Sequence, residues 1–338
     1  MNRTEKKFLE SVRRLELAGK GDAVLVAVSG GPDSMALLHL FTAVSPVLQF
    51  RIGVAHCNYG LRDQDSEHDE TFVREVCLSL GVNCHVRRFD TAKVSAAWKK
   101  SIEETARILR YEYFAELSNE SGYSRIATGH HVGDNAETML FNLFRGTAVS
   151  GLKGIRARNG SIVRPLLPFS RKEIMDYLTE KGVGWRTDST NIDIDYDRNF
   201  IRNRVIPLIE ERFAHKLMPS LQRISEHAGE LDEFIERHLD RLAVQHPGLD
   251  LKAGKLHVGT MLELTQFERK EILKRIFRMQ GLSVDSRVLQ RVTGLLGRQS
   301  GRSVPVGSGI VVARKDGFLR FQAAESPAGL AGETPRET

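Results

Sequence analysis

The feature that most restricts this chain is the junction at residues 23–34. There an apolar, valine-rich run (Ala23-Val24-Leu25-Val26-Ala27-Val28) meets Ser29-Gly30-Gly31-Pro32-Asp33-Ser34, and a helical pattern follows over residues 35–41. A short continuous apolar run of this kind reads as a strand buried on both faces, the habit of a parallel sheet covered by helices. The loop after it supplies two glycines for close backbone approach, two serine hydroxyls and a helix start, whose free N–H groups and positive end favour a phosphate. Asp33 is out of place in an anion site unless a divalent cation shares it; with Mg²⁺ on a polyphosphate its carboxylate becomes a ligand. The chain has no Gly-x-x-x-x-Gly-Lys-Ser/Thr, and no Gly-x-Gly-x-x-Gly after this strand, so neither a gamma-phosphate-cleaving loop nor a dinucleotide fold is supported.

Alternation continues beyond the junction. Residues 51–56 read as a strand, 64–80 as a helix ending at Gly81, and 82–89 as a strand. Ser101-x-x-Glu104 has the form of a capping box opening a helix to about residue 118, residues 125–128 are a strand, and Asp134 opens another helix. Residues 162–167 give one more strand, before a helix capped by Ser170 and Glu173; residues 204–213 and 221–242 carry helical periodicity. The expected class is α/β, a mostly parallel doubly wound sheet, with ligands at the carboxyl ends of strands, where Ser29, His56 and Gly129 fall. Helical patterns at 265–280 and 286–296 and short strand candidates at 256–258, 304–306 and 309–312 predict a smaller, largely helical or mixed C-terminal domain. The predicted boundaries are 1–218 for the catalytic domain, 219–324 for a helical connector and C-terminal domain, and 325–338 for a disordered tail rich in Pro, Gly, Ala, Glu and Thr.

Composition excludes several classes. No apolar run approaches the roughly 18 residues of a membrane span, and the charged start lacks the apolar core of a secretory signal, so the cytoplasm is expected. The cysteines are Cys57, Cys77 and Cys84, with no Cys-x-x-Cys pair for a zinc ribbon, cluster or redox site. The formal net charge of +6 hints at a polyanionic partner. Its distribution sharpens the hint: residues 138–172 contain no Asp or Glu but carry Arg145, Lys153, Arg156, Arg158, Arg164, Arg171 and Lys172. A second basic stretch runs through Arg269, Lys270, Lys274, Arg275, Arg278, Arg287, Arg291, Arg298 and Arg302. Two such stretches beside a nucleotide site point to RNA.

The hexapeptide resembles the pyrophosphatase loop of the N-type ATP pyrophosphatases, which adenylate a carbonyl oxygen and release pyrophosphate. Further segments are similar to the lysidine synthetases within that superfamily. They are His56-Cys57-Asn58-Tyr59-Gly60-Leu61-Arg62, Ala106-Arg107-x-x-Arg110-Tyr111, Thr128-Gly129-His130-His131-x-x-Asp134-Asn135-Ala136-Glu137-Thr138, Arg164-Pro165-Leu166, and Asp188-Ser189-Thr190-Asn191 with Arg198-Asn199-Phe200-Ile201-Arg202-Asn203. Tyr59 stands where the family usually has His, and Asn135 where Gln is common. The resemblance covers residues 20–215 specifically and implies an adenine nucleotide alpha hydrolase-like fold.

Its implied reaction joins free L-lysine to carbon 2 of the wobble cytidine of tRNA(Ile) with a CAU anticodon, through an adenylated tRNA, releasing AMP and pyrophosphate. ATP would lie on Ser29, Gly30, Gly31, Pro32, Asp33, Ser34 and His56. Asp33 and Asp134 would bind Mg²⁺ and serve catalysis, while Glu137, Arg107, Arg110, Arg198 and Arg202 would contact lysine, phosphates or the flipped-out cytosine. Simpler accounts exist for several of these residues. Arg107 with Glu103 fits a surface ion pair, and Asp134 with Glu137 a helix-capping pair. Adjacent His130 and His131 lack the spacing of zinc ligands. The alternatives are an RNA thiolase of the same superfamily or a non-catalytic RNA-binding protein, and the oligomeric state, a dimer among the options, is left open.

Overall fold

The structure, a computed structural model, describes residues 1–61, 63–147, 149–186, 197–213, 216–282 and 285–324. Arg62, the Asp188-Ser189-Thr190-Asn191 motif and the tail from Glu325 lie outside the described residues. The chain divides into two compact units, Met1–Gly229 and Glu230–Thr338.

In the first unit, helix α1 (Arg3–Arg14) is followed by β1 (Ala23–Ala27), α2 (Pro32–Leu48), β2 (Arg51–Asn58), α3 (Asp63–Leu80), β3 (Asn83–Arg88), α4 (Thr91–Trp98), α5 (Ile102–Ser121), β4 (Arg125–Ala127) and α6 (Val132–Phe144). The short pair β5 (Arg158–Asn159) and β6 (Ile162–Val163) precedes α7 (Arg171–Lys181). A further helical run comprises α8 (Asp197–Phe200), a π-helical turn (Ile201–Val205) and α9 (Ile206–Arg212), and α10 (Leu217–Gln245) starts in this unit and ends in the second.

The sheet order is β3-β2-β1-β4-β6-β5, parallel throughout except for β5 against β6. Both faces of β1 are covered, as its apolar run requires: Val24 and Val26 enter one core with Phe8, Phe41 and Phe169, whereas Ala23 and Leu25 enter another with Tyr113, Phe114 and Leu117 of α5. Phe8 meets Phe41 edge-on at 5.1 Å, closing α1 onto α2. These fully buried aromatics hold the sheet rigid behind the loops at its carboxyl edge.

Several local expectations are corrected. The strand expected at 162–167 stops at Val163, because Pro165 and Pro168 cannot donate to a ladder and the chain turns through Leu167 N–H to the Arg164 carbonyl and Phe169 N–H to the Leu166 carbonyl. Ser101 does cap α5, accepting from Glu104 N–H, but the Glu104 carboxylate pairs with Lys100. At Ser170 and Glu173 the reciprocal box is complete. The expected Asp134–Glu137 capping pair is instead a box between His131 and Asp134.

The second unit carries β7 (Leu249–Asp250), β8 (Lys255–His257), α11 (Val258–Glu263), α12 (Gln266–Met279), α13 (Ser286–Gly294), β9 (Ser303–Gly307), β10 (Ile310–Lys315) and β11 (Phe318–Ala323). Its antiparallel sheet, ordered β7-β8-β11-β10-β9, packs with α12 and α13 around Leu256, Ile276, Phe277, Val312 and Leu319, a mixed unit. Its basic stretch is not one open cationic face. Arg269 donates to the Met261 and Leu262 carbonyls, Lys274 pairs with Glu271, Arg275 with Glu236 and Asp240, and Arg278 with Glu236. Among the described residues no helix is long and apolar enough to cross a membrane.

Glu70 on α3 ties that helix to the sheet. Burial opposes its charge, but hydrogen bonds from Arg88 on β3, Asn58 on β2 and Arg74 outweigh it and hold the carboxyl down at about 2. A depressed folded pKa stabilises above the unfolded value and ceases to do so as the pH falls through the folded one. Glu70→Gln should therefore cost about 1–2 kcal/mol at neutral pH. The gap to the parent should close between pH 4.5 and about 2, read from urea midpoints across that range; a constant gap would show that ionisation is not its source.

Candidate functional site

In the order β3-β2-β1-β4-β6-β5, the chain leaving β1 goes to β2 on one side and the chain leaving β4 goes to β6 on the other. The loops after these neighbouring strands therefore part, leaving the switch-point crevice where ligands of open α/β sheets bind. Two helix N-termini open into it, those of α2 and α6.

The α2 end is the Ser29–Ser34 loop. Gly30 has φ +94°, a left-handed conformation that a side chain would strain, and a β-carbon there would lie 3.7 Å from Arg186, Phe72 and Val73. Gly31 is the N-cap, with no side-chain cap on the helix amides and Pro32 in the first turn. Ser34 Oγ donates to the Gly31 carbonyl at 2.9 Å and accepts from Ser29 N–H at 3.2 Å, and Gly31 N–H donates to Ser29 Oγ at 3.4 Å, so the hydroxyls brace the loop while the first amides of the helix carry no side-chain cap. Below the loop, His56 Nδ1 donates to the Val28 carbonyl at 2.8 Å. Burial pushes its ring pKa down, so the ring is neutral and Nε2, buried without a partner, is a bare acceptor.

Opposite lies Thr128-Gly129-His130-His131. A β-carbon on Gly129 would come within 3.2 Å of the Asp33 carbonyl carbon and 3.3 Å of Ser34 N, so the two loops touch through backbone. His131, the buried N-cap of α6, accepts from Gly133 N–H through Nδ1 at 2.9 Å, which leaves the ring proton on Nε2. Nε2 stands 3.8 Å from Asp33 Oδ1 and 3.7 Å from Asp134 Oδ2. The site thus brings the two acids together across one imidazole.

Each acid also has an arginine. Arg171, at the start of α7, lies 3.1 Å from Asp33 Oδ2. Arg202, in the π turn, grips Glu137 at 2.6 and 2.9 Å and reaches Asp134 Oδ1 at 3.2 Å. Burial pushes the Glu137 carboxyl up and Arg202 opposes it, while the Arg202 guanidinium is itself raised by Glu137. Arg202 therefore sits on carboxylates, where the sequence reading had it contacting lysine, phosphates or cytosine.

Behind the acids, burial drives the His130 ring down to about 4; Asp134 opposes the fall, and Arg164, Arg110 and Arg107 add to it. It is neutral at physiological pH, and Thr128 Oγ1 lies 2.9 Å from its Nδ1. Arg110 donates to the Tyr59 hydroxyl at 2.7 Å and covers the Tyr59 ring, which stacks on Phe89. Arg107 stands over the Tyr111 ring at 5.1 Å, and among the described residues it forms no ion pair with Glu103. Arg198 is one helical turn from Arg202 but lies over Phe141, away from the carboxylates.

Sequence reasoning singled out no role for Arg171, Arg186 or Tyr59. Arg186 N–H donates to the Gly30 carbonyl at 2.9 Å and its Nε to Asp69 at 2.9 Å, strapping a distant segment onto the loop. Arg164 is buried, holds the Arg156 carbonyl at 2.8 Å and keeps an unpartnered Nε. Arg164 and Arg171 stood out in sequence as members of the acid-free basic stretch, Arg164 also within a family motif, and Tyr59 only as a departure within such a motif.

Residues 2–209 match the family model of the PP-loop domain. Over 328 residues the chain is 68% identical to the tRNA(Ile)-lysidine synthase of Chlorobaculum tepidum, an alignment covering 97% of this chain and 99% of that one. The chain belongs to the tRNA(Ile)-lysidine synthase family. These are ATP-using ligases, and the enzyme of that name from Clostridium perfringens is 32% identical over 95% of this chain and 69% of its own. Among solved structures, the U34-tRNA thiolase NcsA from Methanococcus maripaludis aligns with a TM-score of 0.52 at 15% identity, covering 66% of this chain and 79% of that one, a likeness of fold alone.

Two outcomes follow from this geometry. Gly129→Ala must push the Asp33–Ser34 backbone by a few tenths of an ångström, so the KM for ATP should rise on the order of tenfold; unchanged ATP dependence of initial rates would mean the loops do not share a ligand. Arg202→Gln removes the cation that opposes burial at Glu137, so its carboxyl rises further and is neutralised at higher pH. The acid limb of the kcat/KM profile should move upward in pH; a limb that stays in place would detach Glu137 from catalysis.

Proposed function

We propose that this chain joins free L-lysine to carbon 2 of the wobble cytidine of tRNA(Ile) bearing a CAU anticodon, using ATP and releasing AMP and pyrophosphate. The observation that carries this reading is the meeting of Asp33 and Asp134, from two helix N-termini, across the His131 ring beside the glycine-serine loop. Helix N-termini favour the triphosphate, and the acids provide what a cationic second substrate needs.

In the first step the cytosine 2-carbonyl oxygen attacks the α-phosphorus and pyrophosphate leaves. The uncapped α2 amides hold phosphate oxygens, Arg171 is placed to move from Asp33 to the departing pyrophosphate, and bare His56 Nε2 accepts from a hydroxyl or amino group of ATP. In the second step the lysine ε-amine attacks carbon 2 and AMP departs. An amine of pKa about 10.4 arrives protonated. Glu137 and Asp134 hold its charge, Asp134 takes the proton, and neutral His130 accepts a hydrogen bond beside them. Arg107 and Arg110 hold the adenylated cytosine.

Asp33 and Asp134 suit Mg²⁺ as a carboxylate pair. Among the described residues no group of three or more His, Cys, Asp or Glu forms a metal cage, so phosphate and water would complete the shell, the usual habit of this ion. When bound, it supplies charge neutralisation to the triphosphate. In the second unit, Arg287, Arg291, Arg298 and Arg302 are exposed and suit contact with the tRNA body. The reading places the enzyme in the cytoplasm, with its substrates.

Asp33→Ala and Asp134→Ala should each abolish incorporation of labelled lysine into tRNA while leaving tRNA binding largely intact, and the parent should yield AMP with pyrophosphate. Normal turnover by either variant, or ADP as product, contradicts the assignment.

A further inference from the structure

One surface of the first unit has no task in the chemistry above. Past the acids, α6 continues from Glu137 through Phe141 to Leu143 and Phe144, with Arg145 as its C-cap. The run carrying Arg202 lies along it. Arg202 is on Glu137 and, one turn away, the Arg198 guanidinium is 5.6 Å from the centre of the Phe141 ring; Arg145 stands 5.1 Å from the same ring. Phe144 is 64% exposed and Phe200, between Arg198 and Arg202, is 49% exposed. Arg145, Arg198 and Arg204 are exposed, and among the described residues none pairs with a carboxylate. The stretch 138–172, which starts here, contains no acidic residue.

Exposed rings beside arginines that no carboxylate answers match single-stranded nucleic acid, in which rings stack on bases and guanidiniums meet phosphates, whereas a protein partner would have to bring acids of its own. The distance also fits. Glu137 to Phe144 is about 10 Å along a helix, or roughly three stacked nucleotides at 3.4 Å each. We propose that Phe144 and Phe200, with Arg145, Arg198 and Arg204, form a stacking platform for the unpaired anticodon-loop nucleotides that flank the cytidine being modified. This rests on the lysidine-forming reading of the neighbouring acids. The platform takes the loop by ring stacking and phosphate contact, so it sets affinity for the loop and leaves the chemistry to the acids.

The test uses the full chain and an anticodon stem-loop RNA with a CAU anticodon, end-labelled, with affinity read by fluorescence anisotropy in the absence of ATP and lysine. Phe144→Ala and Phe200→Ala should each weaken loop binding about tenfold, a value within the range for loss of one base–aromatic stack. Phe144→Tyr should restore it and Phe144→Leu should not, since leucine keeps apolar area but loses the ring face. Unchanged thermal melting of the variants is expected for side chains this exposed, so weakened binding is not unfolding. The proposal is overturned if both alanine variants bind like the parent, if leucine serves as well as phenylalanine, or if the alanine variants change only the sedimentation of the protein, which would make the surface a contact between copies. A parent chain that binds the loop yet forms no lysidine would sink the catalytic reading and leave the platform; one that forms lysidine while both alanine variants bind the loop normally would do the reverse.

Discussion

The contact on which the site depends is between backbones. Gly129, leaving β4, lies against the Asp33–Ser34 peptide beyond β1, so closely that even a β-carbon would push the two backbones apart by a few tenths of an ångström. Because the strands are sheet neighbours, two helices begin within reach of one another and their N-terminal ends face the same crevice. Aligned helix ends concentrate positive potential, which favours the Asp33 and Asp134 carboxylates in their first turns, while Glu137 one turn further along α6 depends on Arg202. The rest of their charge is met locally, by Arg171 on one side, Arg202 on the other and the Nε2 proton of His131 between them.

Cations in this chain are spent in two ways, and net charge does not separate them. In the second unit Arg269, Lys274, Arg275 and Arg278 bind carbonyls and acids of the same unit, where they fasten α12 to its surroundings. In the first unit Arg164 and Arg110 are drawn toward His130 and hold its ring neutral by adding to the effect of burial. A basic stretch in sequence can therefore be a fastener, an electrostatic wall or an open surface, according to which acids the fold delivers to it.

Much of the first unit was legible because its signals are local. The valine run before Gly30 required burial on both faces, and β1 alternates between two cores as that demands. Ser170 with Glu173 announced α7 through a complete capping box. The hairpin into β11 was equally readable in Asp316-Gly317, both with positive φ, but the strand was not drawn from it. Asp33 and Asp134 were marked by their positions at helix starts and Glu137 by the motif it shares with Asp134, whereas Arg171 and Arg186 approach the loop across more than 130 residues, a relation that no spacing encodes. His56 was read as a nucleotide ligand, and its bond to the Val28 carbonyl came into view only when β2 was laid beside β1.

The π-helical turn at Ile201–Val205 sets the phase of what precedes it. Ile206 N–H returns to the Ile201 carbonyl five residues back, so this turn holds one residue more than its neighbours on either side. Wound as ordinary α-helix, the same five residues would leave the charge and apolar content of the run as they are. They would nevertheless swing everything upstream through about 100°, carrying Arg198 off the Phe141 ring. Here the count of residues, more than their identity, is the encoded quantity.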